Sequence, residues 1–314
     1  YTNDSNLHVF HPGLLAAASP FPAVNPMLFD IDNEERNQLN PCIGADEFQL
    51  PSADIIAQQY IGVKTNFAGN SAQPLSLKIL NKGSAPLTQF NIRRSVNGVE
   101  QLPAYSWTGS LPYDSSTTIN FGSYTFEMMK YTSLKIWTDL PNGVPDMVPV
   151  NDTIRVDSIM PFARGSFTLG GANPNIASFT KAAEYLKYGG IDSAVAILIR
   201  NGKYIEQPIM KFARGASLAN TITFKGENNN ALTDTLAFSA TVTGLVPYPT
   251  MRLDSAAFYN FKNITFQSLS TSYSREVELH NKTRFITFDS CVFTSVSSGS
   301  TYPHIEQGTI ACDS

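Results

Sequence analysis

Ile264-Thr265-Phe266 and Ile286-Thr287-Phe288 write one apolar pattern twice, 286 − 264 = 22 residues apart, and the stretch Ile264 to Phe293 that holds them decides the fold. An earlier copy, Ile222-Thr223-Phe224, lies 264 − 222 = 42 residues upstream, close to two such steps. A period of roughly 20 residues or a little more, made of short alternating strands with polar turns, is too short for a helical solenoid or a propeller blade and suits one coil of a β-solenoid. Each coil would stack Ile over Ile and Phe over Phe, with the Thr between them pointing outward. Asn260, Asn263, Asn281, Asp289 and Ser290 supply turn chemistry at the corners. The competing reading is an antiparallel sandwich whose strands are alike by chance; three copies on one ruler favour the solenoid.

Composition narrows the class. A chain of 314 residues holds about two domains and can bury a large core. Its 22 Lys+Arg against 26 Asp+Glu give a net charge of −4 with no basic run, which excludes a phosphate-binding surface and so nucleic acid as a partner. Only 15% of residues are charged while Ser, Thr and Asn abound, a balance that suits an extracellular all-β protein. No apolar run approaches the ~18 residues of a membrane span. The chain opens on Tyr1 rather than Met, and reads as a piece of a longer secreted polypeptide.

Residues 1–50 do not look like the start of a fold: Pro12, Pro20, Pro22 and Pro26 interrupt an apolar but aperiodic stretch. Phe29-Asp30-Ile31-Asp32-Asn33-Glu34-Glu35-Arg36 and Pro41-Cys42-Ile43-Gly44-Ala45-Asp46-Glu47-Phe48 then follow. This segment resembles the closing segment of right-handed parallel β-helix domains in bacterial surface proteins, which implies that residues 1–50 finish such a helix. Asp30, Asp32 and Glu34 have the alternate spacing of calcium ligands, but the loop lacks the Gly and distal Glu of an EF-hand, so a solvated acidic turn is the simpler reading.

Composition shifts at Leu50-Pro51-Ser52. Residues 51–158 then read as about seven short strands: Ile55 to Val63, Leu75 to Leu80, Phe90 to Ser95, Tyr105 to Trp107, Thr118 to Phe121, Ser133 to Thr138 and Thr153 to Val156. The alternation Leu75, Leu77, Ile79 and the turn Asn97-Gly98 are the clearest signals, and the pattern is that of an immunoglobulin-like sandwich. Trp107 and Trp137 read as core anchors, with sugar stacking as the alternative for Trp107 beside Gly109. Leu77 to Gly83, Trp107 to Leu111 and the acidic tail Asp139 to Asp152 resemble the cell-adhesion-related immunoglobulin-like modules of bacterial surface proteins. Asp139, Asn142, Asp146, Asn151 and Asp152 could line a metal loop, but turn and linker use explains the same residues more simply.

Residues 159–314 form a third unit. Gly165-Ser166-Phe167-Thr168-Leu169-Gly170-Gly171 leads to a helix over Ile176 to Tyr188, apolar at Ile176, Phe179, Ala183 and Leu186 and stopped by Gly189-Gly190. A helix placed before the first coil is a natural lid for a solenoid's open end. This stretch too resembles the start of a bacterial surface β-helix. Ala194 to Arg200 would be the first buried strand. Of the three cysteines, Cys42 and Cys312 lie near opposite ends, and Cys291 in Phe288 to Phe293 reads as a buried thiol on a rung; no spacing suggests zinc or redox work.

The search for catalysis gives Asp254, Arg275, Glu276, Glu278, His280, Arg284 and Asp289. Arg275-Glu276 with His280 is the best constellation, yet Glu276, Glu278 and His280 alternate as on one solvated strand face, so no residue is assigned a catalytic, cofactor or metal role. Five triplets of the form Asp-[Ser/Thr]-apolar resemble the O-glycosylation sequon of the bacterial phylum that uses type IX secretion, which would place sugars on Thr153, Ser158, Ser193, Thr235 and Ser255.

The expectation is thus an all-β chain: an immunoglobulin-like β-sandwich flanked by right-handed parallel β-helix segments, with one short capping helix. Its function would be structural or adhesive at a bacterial cell surface, needing no cofactor. Its partners would be adjoining modules or copies of itself joined end to end, and polysaccharide. A polysaccharide-binding or polysaccharide-degrading β-helix is the rival.

Overall fold

A computed structural model describes residues 51–239, 249–271, 274–297 and 303–307. The expectations for residues 1–50, including Asp30, Asp32, Glu34 and Cys42, and for Cys312 fall outside these residues.

Eight strands make the sandwich: β1 (Ile55–Ile61), β2 (Ala72–Asn81), β3 (Leu87–Val96), β4 (Val99–Glu100), β5 (Tyr105–Leu111), β6 (Ser116–Thr125), β7 (Thr132–Asp139) and β8 (Thr153–Ile159). One antiparallel sheet runs β1-β2-β6; in the other, β3 pairs with β7 and then β8 on one side and with β4 and β5 in succession on the other. Alternation does the sorting: Leu75, Leu77 and Ile79 of β2 and Leu134 and Ile136 of β7 are all fully buried, facing each other across one core. Asn97 (φ 49) and Gly98 (φ 82) make the tight β3–β4 turn, both at positive φ as such a hairpin requires.

Of the two tryptophans, Trp137 corrects the sequence reading and Trp107 agrees with it. Trp137 takes the half-buried places that alternate with Leu134, Ile136 and Thr138, so it faces outward, with the Lys135 ammonium 4.7 Å from its ring centroid. Trp107, on the edge strand, is half-buried and packs against the sandwich core, its ring 4.8 Å from that of the buried Phe90.

Only residues 160–162 separate β8 from the next strand, β9 (Ala163–Leu169). The join is stiffened by backbone contacts, Phe162 N–H donating to Phe67 O at 2.9 Å, and by Tyr131 against Tyr185 with centroids 5.1 Å apart. After β9 come α1 (Phe179–Gly189), β10 (Ile191–Ile199), β11 (Gly202–Ile205), β12 (Ile209–Met210), β13 (Ile222–Gly226), β14 (Asp234–Phe238), β15 (Met251–Asp254), β16 (Ala257–Lys262), β17 (Thr265–Ser268), β18 (Val277–His280), β19 (Arg284–Asp289), β20 (Val292–Ser295) and β21 (Ile305–Gln307). Every pairing among them is parallel. The strands sort into three sheets, β9-β10-β13-β16-β19, β11-β14-β17-β20 and β12-β15-β18-β21, so each coil lays one strand on each sheet of a parallel β-helix.

The ruler, however, is not 22 residues. Tyr259 pairs with Ile286 and Phe261 with Phe288, a step of 286 − 259 = 27, and Phe266 pairs with Phe293, again 293 − 266 = 27. Ile264-Thr265-Phe266 sits at the second sheet, whereas Ile222-Thr223-Phe224 and Ile286-Thr287-Phe288 belong to the first. The triplet recurs because every sheet of a coil needs the same inward-outward-inward order, so similar strands also arise within one turn. Ile264 and Ile286 are not stacked, and Phe266 meets Phe288 edge-on (5.7 Å, 88°). The true stacks are near-parallel: Phe224 on Phe261 (5.5 Å, 21°), Phe261 on Phe288 (5.3 Å, 16°) and Phe266 on Phe293 (5.4 Å, 13°). The coil from Ile222 to Tyr259 is longer, 259 − 222 = 37 residues, because the connections from β13 to β14 and from β14 to β15 are both longer than their counterparts in the next coil.

The helix begins later than its apolar pattern suggests. Ser178 is extended and accepts a hydrogen bond from Lys181 N–H (3.2 Å), the N-cap arrangement, while Ile176 bridges to Leu169. Glu206, just after β11, adds a second cap from a distance: its carboxylate accepts from Phe179 N–H and Thr180 N–H, both at 2.8 Å. Phe179, Ala182, Ala183 and Leu186 turn into the coil core, where Phe179 stacks on Phe224 (5.7 Å, 10°). The helix therefore closes one end of the solenoid, and β9, not Ala194 to Arg200, is its first strand.

Candidate functional site

The third sheet of the solenoid carries a charged outer face. Arg252, Glu278 and Glu306 occupy one column on β15, β18 and β21, and Asp254 and His280 the next outward one. Arg252 Nε lies 2.6 Å from Glu278 Oε2, Lys211 Nζ 2.9 Å from Asp254 Oδ2, and Arg275 pairs with Glu278 and Glu306. Burial alone would raise the Asp254 carboxyl, but hydrogen bonds from Lys211 and Asn281 hold it below its ordinary range.

Glu276 stands apart. It precedes β18 at the corner between the second and third sheets, where Ser268, Ser270, Ser274 and Thr250 are also buried. Its side chain is 0% exposed; Oε2 lies 2.7 Å from His304 Nδ1 and Oε1 has no hydrogen-bond partner. Burial pushes this carboxyl above its ordinary value, with His304 working against the rise.

Asp254, Arg275, Glu276, Glu278 and His280 thus come together, while Arg284 and Asp289 lie on the first sheet, Asp289 paired with Lys262 at 3.0 Å. The expectation of a solvated strand face is corrected: Arg275 and Glu278 are 6% and 5% exposed and Glu276 is not on the strand at all. Lys211, Arg252, His304 and Glu306 were missed, although the true rung spacing links Arg252, Glu278 and Glu306 at steps of 278 − 252 = 26 and 306 − 278 = 28. Chemically, Glu278 is committed to Arg252, and among the described residues of the cluster Glu276 is the carboxylate paired with a histidine instead of an Arg or Lys.

In the sandwich, the acidic loop braces the backbone. Asp146 accepts from Ile55 N–H and Val148 N–H, both at 2.7 Å, Asn142 from Thr88 N–H at 2.8 Å, and Asp139 pairs with Arg93 at 3.1 Å. Asp54 accepts from Asn151 at 3.1 Å and, like Asp152, is almost fully buried. Burial, with the Asp146 and Asp54 carboxylates nearby, pushes Asp152 up to about 7. Among the described residues no three His, Cys, Asp or Glu side chains converge as a metal site.

Of the five hydroxyls of the Asp-[Ser/Thr]-apolar triplets, Thr153, Ser158, Ser193 and Ser255 are exposed and Thr235 is half-buried. Ser158 (φ 59) and Ser255 (φ 56) sit in left-handed backbone, so turn geometry is a second reason for Ser at these two places. Cys291 is free and packs against the coil core, half-buried like the rest of its end rung; its Sγ is 3.3 Å from Phe261 O, and burial pushes the thiol up.

No family model matches the chain. No curated protein matches it. Among solved structures it is similar, over 36% of its length, to the CARDB domain of a Pyrococcus furiosus protein in complex with di-metal ions (18% identity, 90% of that chain, TM-score 0.29). A solution structure of the same domain gives 36% of this chain, 18% identity, 97% of that chain and a TM-score of 0.28. A domain of a Methanosarcina acetivorans protein, assigned by its name to the cell surface, gives 36%, 21% identity, 93% and 0.30.

Proposed function

We propose that this chain is an extracellular structural and adhesive segment of a large repetitive bacterial surface protein or filament, built to be extended by like coils. The observation that carries the reading is the contrast between the two solenoid ends. One is closed by α1. At the other, β19, β20 and β21 have a sheet partner on one side only among the described residues, and Ile286, Phe288 and Phe293 are half-buried where Ile222, Phe224, Tyr259, Phe261 and Phe266 are fully buried. A further coil from a like module or a second copy satisfies both the backbone and the apolar row, and a head-to-tail contact of that kind propagates without closing. The three-residue join between sandwich and solenoid, residues 160–162, makes the assembly a stiff stalk. The setting of type IX export and glycosylation draws support from the sequence resemblances alone.

Sedimentation velocity across a concentration series tests the proposal. End-to-end association should grow with concentration and vanish in Phe288→Glu; a wild-type chain that stays monomeric throughout, or a variant that associates as well as wild type, contradicts it.

The buried Glu276 beside His304 supports a second reading, a β-helix that degrades polysaccharide with Glu276 as proton donor. Release of reducing ends from polysaccharide, abolished in Glu276→Gln, is its test.

A further inference from the structure

We propose that the loop between β7 and β8 is a proton-operated latch: a proton held between Asp152 and Asp146 ties the loop to the start of β1 in acid, and its loss on the way to neutral pH lets the loop open. The loop, residues 140–152, reaches β1 through a small set of contacts. Asp146 is the pivot, one oxygen accepting from Ile55 N–H and the other from Val148 N–H, both at 2.7 Å. Met147 N–H donates to Ala53 O (3.1 Å), and Asn151 Nδ2 to Asp54 Oδ1 (3.1 Å). Asp152 completes the knot. It is almost fully buried, its backbone O accepts from Thr138 N–H (3.1 Å), and its carboxyl is hydrogen-bonded to Asp146 and to the Thr138 hydroxyl. Ionised carboxylates only accept, so the bond between Asp152 and Asp146 exists only while one of them keeps a proton.

The surroundings oppose ionisation. Asp54, also almost fully buried, adds a third carboxyl at the same place, and among the described residues no Lys, Arg or His forms an ion pair with any of the three. Lys82, whose charge acts on Asp54, is paired with Asp114, and Arg93 with Asp139 and Glu100. Loss of the proton therefore sets like charges together away from water in the latched state and not in an open, solvated loop. Burial, then Asp146 and Asp54, raise Asp152 from 3.8 to about 7 when latched. The latched loop binds the proton and the open loop releases it, so the opening constant climbs up to ~10-fold per pH unit between about pH 4 and about pH 7 and levels off above. The loop so released carries the exposed Val144, Met147 and Val150. This latch is on the sandwich and independent of the solenoid end, so it and the assembly proposal fail separately.

Amide hydrogen exchange at pH 5 and pH 7, corrected for intrinsic rates, tests the latch. Met147 and Val148 should be less protected than Leu77 and Ile136 of the sandwich core, the mark of local opening, and their protection should fall at least ~10-fold from the lower pH to the higher. In Asp152→Asn, which has no proton to lose, that fall should vanish. Three results overturn the proposal: protection at Met147 and Val148 that does not change with pH, protection there equal to that of Leu77 and Ile136, so that the loop opens only when the whole sandwich unfolds, or a fall that survives in Asp152→Asn. The first two are read on the wild-type chain and need no variant.

Discussion

Phe266→Ala tests the packing of the solenoid at its most crowded point. Phe266 is fully buried, stacked on Phe293 at 5.4 Å and edge-on to Phe261 and Phe288 at 5.8 and 5.7 Å. Emptying a fully packed Phe position costs ~3–5 kcal/mol, made of lost transfer energy and the cavity left by neighbours that cannot close in. The three aromatic partners put this site at the upper part of that range, since each such pair adds ~0.5–1.5 kcal/mol. Phe288→Ala, made on the half-buried end rung, should cost roughly half as much, because part of that ring is already in water. Urea unfolding followed by far-UV circular dichroism measures both. Tryptophan fluorescence is the internal control: Trp107 and Trp137 are both in the sandwich, so its transition should hold still. A Phe266→Ala loss below about 1 kcal/mol, the scale of a surface change, would refute an interior stack at this position.

Three further outcomes follow from particular contacts. Burial raises Asp152 from 3.8 to about 7, so the folded chain holds a proton the unfolded chain releases; its contribution to stability is complete below about pH 4 and lost as pH rises through about 7. Asp152→Asn should therefore stabilise the sandwich at pH 8 by at most ~4 kcal/mol and change little at pH 4, and thermal melts at the two values that show equal effects would contradict this. Removing the distant helix cap in Glu206→Ala should cost about 1–2 kcal/mol and speed amide exchange in the first turn of α1, whereas unchanged exchange at Phe179 and Thr180 would show that the cap is idle. Gly215→Ala, at φ +88 and with its new Cβ directed at the Ile191 carbonyl, should lose at least ~2 kcal/mol in the same urea assay, and a neutral substitution would mean that this turn is not as drawn.

The fold was legible in the sequence wherever burial imposes a period. Leu75, Leu77 and Ile79 announce a half-buried strand, and Asn97-Gly98 its hairpin, because both signals are local. The coil was legible as a coil but not in its length. Ile264-Thr265-Phe266 satisfies the same inward-outward-inward rule as the triplets 222–224 and 286–288, and a one-dimensional pattern cannot say which of three sheets a strand joins. That error in spacing also hid the charged column, since Arg252, Glu278 and Glu306 align only on a ruler of about 27 residues. Glu276 could not be placed because its burial comes from a corner, where no period operates. Trp137 was misassigned for a different reason: its size suggested core, but its place in β7 is fixed by the neighbours Ile136 and Thr138, which take the inward positions.

The most direct test of the account is a set of inter-strand backbone contacts measured by nuclear Overhauser effects on the isotope-labelled, fully protonated chain. A parallel β-helix with coils of about 27 residues predicts backbone contacts between Tyr259 and Ile286, Thr265 and Val292, and Met251 and Val277, with the weak, evenly spaced pattern of parallel strands. Strong Hα–Hα contacts between facing strands, the mark of antiparallel pairing, or a register that joins Ile264 to Ile286, would contradict it.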